Sequence, residues 1–100
     1  MYEYKATVDK WVDGDTVDLT VDLGFNISVK ERFRVLNLDT PERGEEGFIE
    51  AKALAEAIMP IGSEHIVSTV KKDKYGRWLV KLPQIVDVMN TNGLNDLAKK

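Results

Sequence analysis

Residues 16–23, "TVDLTVDL", alternate without a break: Val17, Leu19, Val21 and Leu23 fall on one face, Asp18, Thr20 and Asp22 on the other. A period of two marks a strand with one buried face. The preceding "EYKATVDKWV" is also strand-like, and Asp13-Gly14 supplies the turn between the two. After Gly24, "ISVKERFRVLNL" at 27–38 is rich in β-branched and aromatic residues and predicts a third strand. Its Ile27, Val29, Phe33 and Val35 share one parity. Arg32 and Arg34 share the other with Leu36 and Leu38, so these arginines require anionic partners close by.

Pro41 and Gly44 interrupt the strand pattern, and 45–59, "EEGFIEAKALAEAIM", predicts a helix. Phe48, Ala51, Ala55 and Ile58 form its apolar face, with acidic residues crowding the first turn. Pro60 and Gly62 end it. "HIVSTVKK" (65–72) and "GRWLVKL" (76–82) predict two further strands around a "KDKYG" turn, and "QIVDVMNTN" a short helix stopped by Gly93. The expected fold is mainly β with some α: a five-stranded barrel of OB type, with one helix between strands 3 and 4 and a short C-terminal helix. A small mixed α+β sheet fits the same periodicities.

One hundred residues suit a single domain over 1–100. No apolar run is long enough to span a bilayer, and "MYEYKATVDK" lacks the apolar core of a signal peptide. The chain is therefore expected in the cytoplasm, without a membrane partner, unless a leader has been removed. The absence of cysteine excludes disulfides and thiolate metal sites, and the single His65 disfavours a histidine-rich zinc site. A net charge of −3 argues against a broad basic surface. Its distribution says more. Acidic blocks (Asp9–Asp22, Asp39–Glu50) alternate with basic ones (Lys30–Arg34, Lys71–Arg77), which suits a site holding both a cation and an anion.

The chemistry-bearing residues lie where the strands end. "VDGDT" at 12–16 places Asp15 after a turn glycine, and "LNLDTPER" at 36–43 closes a strand on Asp39, Thr40 and Glu42. Turn formation accounts for Asp13 but less well for Asp15. Hard cations such as Ca²⁺ need several oxygen ligands, and antiparallel pairing can bring Asp15 and Asp39 together. An EF-hand is excluded, because "DKWVDGDTVDLT" has Trp11 and Thr20 where ligands are required. Arg34 and Arg77 offer bidentate phosphate donors. Arginines beside a divalent ion and a carboxylate base describe a phosphodiesterase. Trp11 and Trp78 are expected to pack in the barrel, and Tyr75 to flank a bound base or phosphate.

Three blocks, "VDGDTVDL" (12–19), "FRVLNLDTPE" (33–42) and "DKYGR" (73–77), occur in order, and through them the chain resembles the staphylococcal nuclease (thermonuclease) family from about Thr7 to Leu94. The resemblance implies an OB-type barrel and a Ca²⁺-dependent nuclease cutting the 5′ P–O bond of DNA or RNA to leave 3′-phosphates. It makes Asp15 and Asp39 carboxylate ligands of Ca²⁺ and Thr40 a ligand through its backbone carbonyl. Glu42 becomes the general base, or the group orienting the attacking water. Arg34 and Arg77 hold the scissile phosphate, and Lys74 and Tyr75 touch a terminal one. The expected partner is single-stranded DNA or RNA, and the chain is expected to act as a monomer. The alternative is a non-catalytic OB-type module that binds nucleic acid or protein; it leaves the joint presence of Asp15, Arg34, Asp39, Glu42 and Arg77 unexplained.

Overall fold

Strand β1 (Tyr2–Asp13) turns at Gly14-Asp15 into β2 (Thr16–Gly24). Pairing of Val8 with Leu19 and Trp11 with Val17 merges their apolar stripes on one face. This computed structural model describes residues 2–99; Met1 and Lys100 lie outside the described residues. The remaining elements are β3 (Ile27–Val35), α1 (Phe48–Ile58), β4 (Glu64–Val70), β5 (Trp78–Lys81), α2 (Pro83–Thr91) and a 3₁₀ turn at Asp96–Lys99. The strands close into a barrel in the order β1-β2-β3-β5-β4. The β3–β5 seam is parallel and every other pair antiparallel. The protein is thus mainly β with some α, and its barrel is OB-like.

Inward-facing Val8, Trp11, Val17, Leu19, Val21, Phe33, Val35, Val67 and Val80 fill the barrel, joined by Ala51, Ala55 and Met59 from the α1 side and Ile85 and Met89 of α2. Trp11 is fully buried, as its sequence setting predicts. Its indole N–H donates to the Met59 carbonyl at 3.0 Å, which satisfies the ring's one polar atom and ties β1 to the end of α1.

Of the boundaries that depart from the sequence reading, three have a backbone reason. The third strand stops at Val35 rather than Leu38, because Asn37 adopts φ 64°. The helix begins at Phe48 rather than Glu45, because Gly47 sits at φ 91°, outside helical space. Only Glu50 then remains as an acid in the first turn, and Met59 takes the buried place expected of Ile58, which is exposed. Strand β5 begins at Trp78 rather than Gly76, since the Asp73 carboxylate takes the Arg77 N–H that a ladder would use.

Within β3 only Phe33–Val35 pair with β5, so the first six residues of β3 have a strand neighbour on one side alone. Ile27 and Val29 share the parity of buried Phe33 yet remain exposed, and Phe25, at the tip of the hairpin, is 96% exposed. Lys30, Glu31 and Arg32 charge this open edge, a common protection against strand addition.

Candidate active site

The β1–β2 turn builds the first wall. Asp13 Oδ1 accepts the Asp15 N–H at 3.1 Å, and the Asp15 carbonyl accepts the Val35 N–H at 2.8 Å. The Asp15 side chain is thereby carried inward until the residue is only 4% exposed. Its Oδ1 accepts the Thr16 hydroxyl at 2.9 Å and its Oδ2 the Thr40 N–H at 3.0 Å. Gly14 makes this approach possible: a Cβ there would lie 2.8 Å from Thr40 Oγ1 and 2.9 Å from Ala51 Cβ. No other residue fits that space without moving either the site or α1.

Arg34 pairs with Thr16 in the ladder and reaches across the turn. Its Nη2 donates to the Leu38 carbonyl at 3.0 Å and lies 3.6 Å from Asp15 Oδ2 and 3.5 Å from Asp39 Oδ1. The guanidinium therefore stands between the two carboxylates. The neighbouring Arg32 finds its counter-ion in Asp18, at 2.8 Å. Both arginines have the anionic partners their positions require.

Two carboxylates and one guanidinium leave the cluster one positive charge short. Burial is the main reason the Asp15 carboxyl is pushed up to about 6, with nearby Asp13 adding to it. The Thr40 N–H and Arg34 pull the other way and are outweighed. Thr40 Oγ1 is buried with no hydrogen-bond partner among the described residues, so the pocket holds an unmet polar group. The donors gathered here are all oxygens, the set a hard cation such as Ca²⁺ prefers. Among the described residues no group of three or more Asp, Glu or His side chains converges in metal-holding geometry. A cation at this site would thus complete its coordination with backbone carbonyls and water, as Ca²⁺ commonly does.

The other sequence-predicted residues stand apart from this cluster. Glu42 is exposed, its carboxylate has no protein partner among the described residues, and its N–H donates to Glu45 Oε1 at 2.6 Å. Arg77 is bound by Asp73, through Nε at 2.9 Å and Nη2 at 2.8 Å. Arg77 lies just before β5, whose parallel register pairs Leu79 with Arg34. Tyr75 is exposed, with Lys74 Nζ 5.2 Å and the Arg77 guanidinium 5.1 Å from its ring centroid. Trp78, expected to pack in the barrel, is instead 37% exposed and carries Lys72 Nζ 4.9 Å from its ring centroid.

Sequence reasoning missed Asp73, Gly14 and Asn95. Asp73 organises the "DKYGR" turn: its Oδ1 accepts the N–H groups of Tyr75 and Arg77 at 2.8 and 3.0 Å. These bonds, with the Arg77 side chain, hold its carboxyl below the ordinary range against a partial desolvation that works the other way. An Asp four residues before an Arg across a turn glycine is a legible signal. Asn95, buried against Asp39, had none, because the two lie 56 residues apart. Compared with known proteins, the chain matches no family model and no curated protein.

Proposed function

We propose that this protein is a Ca²⁺-dependent nuclease that hydrolyses phosphodiester bonds of DNA, RNA or both at the 5′ P–O bond, leaving 3′-phosphates. The observation that carries the reading is the Arg34 guanidinium held between the Asp15 and Asp39 carboxylates. Its Nη2 is engaged there, while Nε and Nη1 have no protein acceptor among the described residues and are free to grip phosphate oxygens. The likeness of the three sequence blocks to the staphylococcal nuclease family supports the same chemistry.

Asp15, Asp39 and the Thr40 carbonyl are the proposed Ca²⁺ ligands. When bound, Ca²⁺ would offset the two carboxylates and polarise a phosphate oxygen. Glu42, solvent-facing and unpaired, takes a proton from water as the water oxygen bonds to phosphorus. Arg34 and Arg77 donate to the phosphoryl oxygens as negative charge builds on them. Asp73 engages Arg77 through Nε and Nη2, which leaves donors of this five-donor group for the phosphate. The bond from phosphorus to the 5′ oxygen breaks, and that oxygen takes a proton from solvent water to leave as the 5′-hydroxyl. Lys74 and Tyr75 contact a neighbouring phosphate.

The test is incubation with single-stranded DNA and RNA in Ca²⁺, with and without chelator, followed by end-group analysis. Cleavage that needs Ca²⁺ and leaves 3′-phosphates is expected. Binding without any cleavage would favour the non-catalytic module, and equal cleavage in excess chelator would remove the metal from the account.

A further inference from the structure

After α2 the chain turns at Gly93, whose φ of 68° lets the Leu94 N–H return to the Met89 carbonyl at 2.9 Å. Leu94 then anchors in the core, and Asn95 is delivered to the Asp39 segment with 4% of its surface exposed. Its Oδ1 accepts the N–H groups of Asp39 at 3.1 Å and Leu97 at 3.2 Å. Its Nδ2 donates to the Asn37 carbonyl at 3.2 Å and Asn90 Oδ1 at 2.8 Å. Two acceptances and two donations use the full capacity of one amide. The two backbone N–H donors also fix its orientation, since only the oxygen can face them.

The Asp39 backbone is held on its other side as well, because the Asp96 N–H donates to the Asp39 carbonyl at 2.7 Å. Both backbone polar groups of Asp39 are therefore claimed by the Asn95–Asp96 segment, although Asp39 lies beyond the end of β3 and outside any ladder. Asn37, the left-handed residue that turns the chain into the site, is held through its carbonyl by the same amide. We infer that Asn95 is a positioning residue: through the backbone of residues 37–39 it sets where the Asp39 carboxylate stands relative to Arg34 and Asp15. The consequence for cation binding rests on the nuclease reading. The clamp itself does not.

Neither alanine nor aspartate does the same work at this position. Alanine removes all four bonds, and aspartate keeps the acceptors but loses both donations and adds a charge beside Asp39. The experiment compares the full chain with Asn95→Ala and Asn95→Asp, by amide hydrogen exchange and by CaCl₂ titration followed in ¹H–¹⁵N spectra. For Asn95→Ala, exchange at Asp39 should quicken by at least ~10-fold while the Val8 amide, which donates to the Ser63 carbonyl, and the amides of the β1–β2 ladder stay protected. Its Ca²⁺ affinity should fall by roughly 10–100-fold, the usual effect of losing an outer partner of a metal ligand. Asn95→Asp should leave Asp39 exchange nearer to wild type, and it serves as the folded comparison if the alanine variant does not fold. Unchanged exchange at Asp39, uniform acceleration across the ladder, or an unchanged Ca²⁺ affinity in a variant with a loosened Asp39 would each overturn the positioning role. If the wild-type chain binds no Ca²⁺ at all, the nuclease reading fails, and exchange at Asp39 still decides the clamp.

Discussion

Asp15 is buried beside one half-shared guanidinium, and its proton leaves near pH 6 instead of near 3.8. The sign of the consequence follows from where protons are bound. Between those two values the folded chain holds a proton that the unfolded chain has released, so the contribution of Asp15 to stability is greatest below about pH 4 and falls as pH rises to 6. At ~1.4 kcal/mol per pH unit the difference amounts to about 3 kcal/mol in the metal-free protein above that window. Asp15→Asn removes the charge and forfeits one of the two acceptances, at about 1 kcal/mol. Urea melts in chelator should show the variant more stable than wild type by about 1–2 kcal/mol at pH 7, with the pH 4–6 slope largely gone. Equal or lower stability at pH 7 would mean that Asp15 is not destabilised by its site.

Glu42 and the arginines give kinetic signatures at the same scale. A general base typically contributes about 10²–10⁴-fold, so Glu42→Gln should lower kcat by that order with little change in KM. A loss confined to KM would make Glu42 a substrate-binding residue. Lysine keeps the charge of Arg34 and Arg77 but not the fork, so both Arg→Lys variants should be badly impaired with net charge still −3. For Arg77 the loss should fall on kcat, whereas Arg34→Lys should also weaken a non-hydrolysable nucleotide in Ca²⁺. Near-wild-type turnover in either would reduce that arginine to diffuse positive charge.

Between elements, the β2–β3 hairpin shows a local conflict that the barrel does not need. Its two central residues, Phe25 and Asn26, have φ of 55° and 62°, as a type I′ turn requires. Asparagine tolerates that region, but a bulky phenylalanine there is strained by roughly 1–2 kcal/mol. Phe25 packs on nothing that would offset this, since it is almost wholly exposed. Phe25→Asn should therefore raise stability by about 1 kcal/mol, read as a higher Tm with cleavage unchanged. A lower Tm would show that the ring is held by contacts the isolated chain supplies.

The element scale also shows what a sequence exposes and what it hides. The period-two stripe of β2, the Asp-Gly turn and the glycine and proline breaks are local, and so five strands and two helices were legible. Asp15, Arg34, Asp39 and Thr40 were legible as candidates because a turn alone does not need that combination. The ends of β3 and α1 were not, because Asn37 and Gly47 hold positive φ values that periodicity does not encode. Residues whose role is to meet a distant backbone, such as Asn95 and Gly14, are also silent: their partners are chosen by the closed barrel.

On the scale of the whole molecule, the barrel brings the end of β3 beside the β1–β2 turn, while α1 and the chain after α2 pack around them. That enclosure buries Asp15 and leaves Arg34 with donors to offer. The arrangement suits the proposed ion and phosphate better than it suits the stability of the metal-free fold. Cleavage of single-stranded DNA in Ca²⁺ by Asp15→Asn, beside wild type at the same folded concentration, is the most direct test. The variant, at least as stable as wild type in chelator, should be slower by at least ~10²-fold, a loss that unfolding cannot explain. Cleavage at the wild-type rate would contradict the account at its centre.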